Sequence, residues 1–169
     1  EPILSPVPNH NTLNEDYQGF MKVSYNKKYL VSCFSGATLS GSKVDISTFN
    51  CKSGFIDYLY SFKLNDIITS NPRYRTYNCD FSPCSKYMYL AGYLPADSLT
   101  HIYQFDMQYI ADSTLFVQSA IKIGESQGYN IQLASDGKIY CFAKDVWNTT
   151  PFNNYVGIIH NPEKHKNSC

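Results

Sequence analysis

Ser24-Tyr25-Asn26-Lys27-Lys28-Tyr29-Leu30-Val31 decides the fold, because the chain writes it again. It returns as Ser82-Pro83-Cys84-Ser85-Lys86-Tyr87-Met88-Tyr89-Leu90, and in shortened form as Ala134-Ser135-Asp136-Gly137-Lys138-Ile139-Tyr140-Cys141. Each copy follows an alternating apolar stretch, turns through polar residues and enters a second β-rich stretch. Lys28, Lys86 and Lys138 align, 58 and then 52 residues apart. Repeats of about 40 to 50 residues built from short strands mark the blades of a β-propeller.

Working outward from the first copy, Phe20 to Val23 reads as one strand and Tyr29 to Phe34 as the next. A Gly/Ser loop leads to Lys43–Phe49, which alternates, and after Cys51-Lys52-Ser53-Gly54 a fourth strand runs from Phe55 to Phe62. Four strands joined by short turns make one blade. The second repeat predicts strands at Tyr77–Phe81, Tyr87–Tyr93, His101–Asp106 and Thr114–Ile123, with a short helical turn available at Ile110–Ser113. The third offers Tyr129–Leu133, Ile139–Ala143 and Tyr155–His160, and no fourth strand before Cys169. The expectation is an all-β chain: a partial β-propeller of about three four-stranded blades, the last incomplete. Residues 1–15 are a Pro/Asn-rich lead-in or linker, and 16–169 the propeller, with blades at about 16–70, 71–126 and 127–169. Propellers use about four to eight blades, so three imply a fragment. The Glu1 start, without Met or a signal peptide, fits a processed or excised piece.

Composition narrows the function classes. Lys and Arg number 14, as do Asp and Glu, so the net charge is +0, with no like-charge block. Nucleic-acid binding needs clustered cations that displace counterions from phosphates, and this chain has none. Fifteen Tyr and ten Phe suit half-buried pleated surfaces. No apolar run approaches the roughly 20 residues of a membrane helix. Cys33, Cys51, Cys79, Cys84, Cys141 and Cys169 include no CxxC pair, which argues against zinc. Six cysteines allow 15 disulfide pairings. Cys33, Cys79 and Cys141 fall on predicted strands, where a buried thiol acting as a small apolar side chain is the simpler reading.

Taken in order, "GFMKVSYNKKYLVSC", "VDISTFNCKSGFI", "NCDFSPCSKYMYLAG…IYQFDM" and "NIQLASDGKIYCFAKD…YVGIIHNPEKHKNSC" resemble the propeller-like, SPDG-type repeat region of large secreted Bacteroidota proteins. Those proteins often carry polycystic-kidney-disease domains and a gliding-motility-associated, type IX secretion sorting domain. The resemblance spans about residues 12 to 169. Asn26 and Cys84 stand where the repeat usually has Asp, and Lys27 and Ser85 where it usually has Gly; Asn and Ser also suit turns. The resemblance implies an exported, extracellular or cell-surface protein, with neighbouring domains and further blades as partners, and it assigns no chemistry to the propeller.

Candidate sites are few. One acidic residue at Asp136-Gly137 is far from a calcium ligand set and reads as a hairpin turn. His160, His165 and Cys169 have spacings compatible with metal ligation, but they follow a strand and a Pro in a Lys-rich tail that reads as a solvated exit. No G-x-S-x-G elbow is present, and Asp16, Asp45, Asp80 and Asp106 have no context that marks paired catalytic carboxylates. Trp147, Asn148, Asn154 and Tyr155 are the binding candidates: aromatic faces beside amides stack on and hydrogen-bond sugars or peptides. The alternative is that Trp147 caps the blade's apolar edge. Asn148-Thr149-Thr150 is an N-glycosylation sequon, and Asp97-Ser98-Leu99 and Asp112-Ser113-Thr114 resemble bacterial O-glycosylation sites. The sequence thus predicts a non-catalytic module for glycan or extracellular-protein recognition, without cofactor or metal. A lactonase-type propeller enzyme and a purely architectural spacer are the rivals.

Overall fold

In the computed structural model, residues 18–35, 42–67, 74–96, 98–126, 128–142 and 156–165 are described. They form three antiparallel meanders. The first joins β1 (Gln18–Val23), β2 (Tyr29–Ser35), β3 (Lys43–Phe49) and β4 (Ile56–Phe62). The second joins β5 (Arg75–Phe81), β6 (Tyr87–Leu94), β7 (Leu99–Asp106) and β8 (Ile121–Ser126). The third joins β9 (Asn130–Leu133), β10 (Ile139–Phe142) and β11 (Gly157–Ile159). Strand order follows chain order in each sheet, and β5 packs against β1, β2 and β9. First strands therefore lie innermost and the sheets splay outward, which is the blade arrangement of a propeller. The chain is all-β, a three-blade propeller segment whose last blade has three strands among the described residues.

The repeated sequence closes equivalent hairpins. In blade 1 the Ser24 amide donates to the Tyr29 carbonyl, 2.9 Å, and in blade 2 the Ser82 amide donates to the Tyr87 carbonyl at the same distance. Both serine hydroxyls accept two backbone amides across the turn: Lys28 and Tyr29 at 3.3 and 3.0 Å, Lys86 and Tyr87 at 3.1 and 3.0 Å. The residue before each aligned lysine is left-handed, with φ of 59° at Lys27, 57° at Ser85 and 79° at Gly137. Blade 3 has Ala134 at the serine position and a turn one residue shorter, closed by the Ala134 amide on the Lys138 carbonyl, 2.9 Å. There the Asp136 carboxylate takes over, accepting the Lys138 amide at 3.1 Å.

Alternation along the central blade divides the core in two. Met88 and Leu90 of β6, with Tyr103 and Phe105 of β7, face blade 1; Tyr87, Tyr89, Ala91 and Ile102 face blade 3. A strand covered on both faces must be apolar on both, which explains the nearly continuous Tyr87–Ala91 run. Blade 1 answers with Val31, Cys33, Val44, Ile46 and Phe62, and blade 3 with Ile131, Ile139, Cys141 and Ile159.

The connection from β7 to β8 departs from the sequence expectation of a strand at Thr114–Ile123. Residues Ser113–Gln118 form a helix, α1, and the strand starts at Ile121. Asp112 sets the helix start: its carboxylate accepts the Thr114 and Leu115 amides at 2.9 and 3.0 Å. Phe116 then enters the first core, stacked on Phe105 with centroids 5.2 Å apart and edge-on to Phe62 at 6.0 Å. Blades diverge outward, and α1 packs against β4 and β7 where the gap between blades 1 and 2 widens.

Candidate functional site

The inner strands meet at Asp80, near the end of β5. Both carboxylate oxygens are filled. Oδ1 accepts the Tyr25 hydroxyl at 3.1 Å and the Phe81 amide at 2.8 Å, while Oδ2 accepts the Lys22 ammonium at 3.0 Å and the Leu133 amide at 2.8 Å. One buried side chain of blade 2 thus holds blade 1 and blade 3 together. Burial pulls the Lys22 pKa down, but hydrogen bonds to Asp80 and Tyr25 and the nearby Asp80 charge outweigh it, so Lys22 titrates above an ordinary lysine. Tyr25 is also raised, first by burial and further by the Asp80 carboxylate. A carboxylate has about four acceptor sites, and all of these are taken. A lysine held protonated is neither base nor nucleophile. The arrangement is a clamp between blades.

A second polar cluster lies within blade 2. The Tyr74 hydroxyl meets His101 Nδ1 at 2.7 Å, and the Tyr103 hydroxyl donates to Tyr74 at 3.3 Å. Glu125 stands 3.7 Å from His101 Nε2. Tyr74, His101 and Tyr103 are all buried, and Glu125 is the exposed end of the cluster.

The open cleft lies between the repeat turns of blades 1 and 2. Asn26, Lys28 and Tyr29 form one wall, Ser85 and Lys86 the other, and Asp106, Met107 and Gln108 the third side, around about 300 Å³. The volume stands at the lower end for small-ligand sites. Its placement follows from the repeat, since two of the aligned lysines flank it. The walls are braced: the Asn26 amide donates to the Ser85 hydroxyl at 3.0 Å. Asp106 Oδ1 accepts the Gln108 amide at 3.0 Å, which starts the 3-10 turn Met107–Tyr109, and Oδ2 accepts the Gln108 side chain at 2.7 Å. Two lysines and one carboxylate line it together with amide, hydroxyl and phenol groups, and the Lys86 ammonium lies 5.2 Å from the centre of the Tyr87 ring; a lining of this kind suits a polar ligand.

Trp147, Asn148, Asn154 and Tyr155, and the sequon at Asn148-Thr149-Thr150, lie outside the described residues, as do Asp16, Asp97 and Cys169. His160 and His165 are exposed, and among the described residues no three metal-ligating side chains come together. The expected solvated exit is instead docked on blade 2. Pro162 is buried, its carbonyl accepts the Tyr89 hydroxyl at 2.9 Å, and the Lys164 carbonyl accepts Gln104 Nε2 at 2.8 Å. Glu163 accepts the Cys84 amide. Buried Tyr89 and Gln104 need partners, and the exit backbone supplies them. Asp112, read from sequence as part of a glycosylation motif, is the cap of α1; Asp136 and Gly137 make the hairpin turn expected of them. Asp45 is bound to Ser61 at 2.7 Å and Lys43 at 3.2 Å. The Lys28/Lys86 cleft and the Asp80 clamp were not singled out from sequence. The aligned lysines were the only signal for the first. For the second there was none, because the partners of Asp80 are 58, 55 and 53 residues away.

Fold and site define a propeller segment with a polar cleft at its repeat turns. No protein-family model matches the chain, and no curated protein matches it. A solved structure of a Lactobacillus plantarum protein is similar over 83% of this chain, with 8% identity and a TM-score of 0.47. The chain spans 40% of that protein's length. Among the described residues, no helix is long and apolar enough to cross a membrane.

Proposed function

We propose that this chain is a non-catalytic recognition module of an exported, cell-surface or extracellular protein, and that it takes an acidic glycan in the cleft between the turns of blades 1 and 2. The observation that carries the reading is the contrast between the two polar sites. At the blade axis, where an enzyme of this architecture would place its catalytic groups, Asp80 has four donors and no acceptor site left. At the turns, Lys28, Lys86 and Tyr29 line an accessible cleft. The export setting is supported by the likeness of the ordered repeats to secreted Bacteroidota propellers, and the same likeness supports further blades and domains as partners.

The test is a glycan array followed by titration calorimetry on the 169-residue chain, with lactone hydrolysis measured in parallel. Uronate-containing oligosaccharides should bind and neutral ones should not. Binding should weaken with added salt, because the charges are exposed, and fall at least tenfold in K28A/K86A. Binding that ignores these substitutions, or a protein ligand in place of a glycan, refutes the cleft assignment; lactone turnover refutes the non-catalytic reading.

A further inference from the structure

Cys33 on β2 and Cys79 on β5 belong to different blades, are fully buried, and lie in the same apolar cluster. Their side chains neighbour each other across the seam between the blades. The backbones of β2 and β5 approach within 8 Å, and the Thr76 hydroxyl of β5 donates to the Phe34 carbonyl of β2 at 3.1 Å, one residue from Cys33. The other described cysteines have no such arrangement: Cys51 and Cys84 are exposed on turns, and Cys141 lies in the second core. We propose that Cys33 and Cys79 are a disulfide-forming pair that staples blade 1 to blade 2, bonded while the chain folds and sealed from exchange once the blades have docked.

The oxidant is a small-molecule disulfide such as oxidised glutathione. One cysteine thiolate attacks it, releasing one glutathione thiolate and leaving a mixed disulfide. The second thiolate attacks the protein sulfur of that mixed disulfide, forming the Cys33–Cys79 bond and releasing the second glutathione. Two protein thiols lose two electrons and two protons, and one small disulfide becomes two thiols. In the folded chain both steps are blocked. No solvent reaches either sulfur, and the Cys33 sulfur beside it, together with burial, holds the Cys79 thiol protonated well above its ordinary range, so a Cys79 thiolate is scarce. The redox state of the pair is therefore set at folding and kept afterwards.

Refolding the chain from denaturant in a glutathione redox buffer, then blocking thiols in acid and mapping peptides without reduction, tests the pairing. A C51S/C84S/C169S chain keeps those three thiols from competing. The expected product is a Cys33–Cys79 cross-linked peptide, with a melting temperature above that of the same chain refolded in dithiothreitol. Recovery of both residues as blocked thiols overturns the proposal. The unaltered chain, folded reduced and then given oxidised glutathione, should modify Cys51 and Cys84 at least tenfold faster than it forms the Cys33–Cys79 bond. Equal rates overturn the sealing.

Discussion

The left-handed residue before each repeat lysine shows how one position serves two purposes. Lys27 and Ser85 both stand where the third copy of the repeat has Gly137, and both adopt positive φ, at a cost of about 1–2 kcal/mol for a residue with a Cβ. Lys27 is exposed and its side chain makes no contact the turn needs. Ser85 is buried, and its hydroxyl accepts the Asn26 amide of the neighbouring blade. Lys27→Gly should therefore stabilise the chain by about 0.5–1 kcal/mol, after the entropy that glycine adds to the unfolded state is subtracted. Ser85→Gly relieves the same strain but loses the bond from the exposed Asn26 amide, at about 0.5–1.5 kcal/mol, and should be neutral or slightly destabilising. Urea midpoints of the two variants separate these effects. A gain in both would mean that the Asn26–Ser85 bond contributes nothing between the blades.

Among the elements, α1 is where sequence reading and structure part. Thr114, Phe116 and Val117 favour strands, and that pattern hid the cap signal in Asp112-Ser113-Thr114. Two amides captured by Asp112, and one aromatic ring wedged between blades, outweigh propensity over six residues. Asp112→Ala should cost about 1 kcal/mol, and Phe116→Ala about 3–5 kcal/mol because its cavity opens inside the first core. Thermal melts check both; similar small losses would place Phe116 outside the core. Gly92 marks another close approach, since a Cβ there would sit 2.2 Å from Leu64 Cδ1 and 3.3 Å from Tyr74. Leu64 is itself buried, so Gly92→Ala should destabilise by about 1–3 kcal/mol, seen as a lower urea midpoint. Strands and repeat turns were legible because periodicity and turn chemistry are local. The Lys28/Lys86 cleft was half legible, its lysines visible in the alignment and its Asp106–Gln108 side not. The Asp80 clamp joins residues more than fifty positions apart, and the docked exit answers the needs of Tyr89 and Gln104, which only the tertiary structure reveals.

Across the whole molecule, the seams between blades hold thiol, phenol and ammonium groups in their protonated forms, and that sets a pH limit. Burial pushes the Cys141 thiol, in the second core, from 9.0 up to about 11. Tyr60 lies between blades 1 and 2, its hydroxyl donating to the Ile110 carbonyl at 2.9 Å; burial, followed by the charges of Tyr29 and Asp112, raises it well above an ordinary phenol. Tyr25 is raised from 10.0 and Lys22 from 10.5 at the Asp80 clamp. Each of these groups has a higher pKa folded than unfolded, so each contributes stability fully below its unfolded value and loses it as pH rises through its folded value. The unfolded chain sheds thiol protons from about pH 9, then phenol and ammonium protons, while the folded chain still holds them. Stability should therefore be level from pH 7 to 8.5 and fall steadily toward pH 11, measured as the urea midpoint on dithiothreitol-treated protein. Cys141→Ala should flatten the stretch that begins near pH 9, whereas Lys22→Met should lower the midpoint at every pH below about 10.5, where the clamp's ammonium is intact, and flatten the fall above it. A midpoint that stays level to pH 10.5 would show that the seams open locally and exchange protons without cost, and the three blades would then be separately mobile sheets that no single carboxylate holds together.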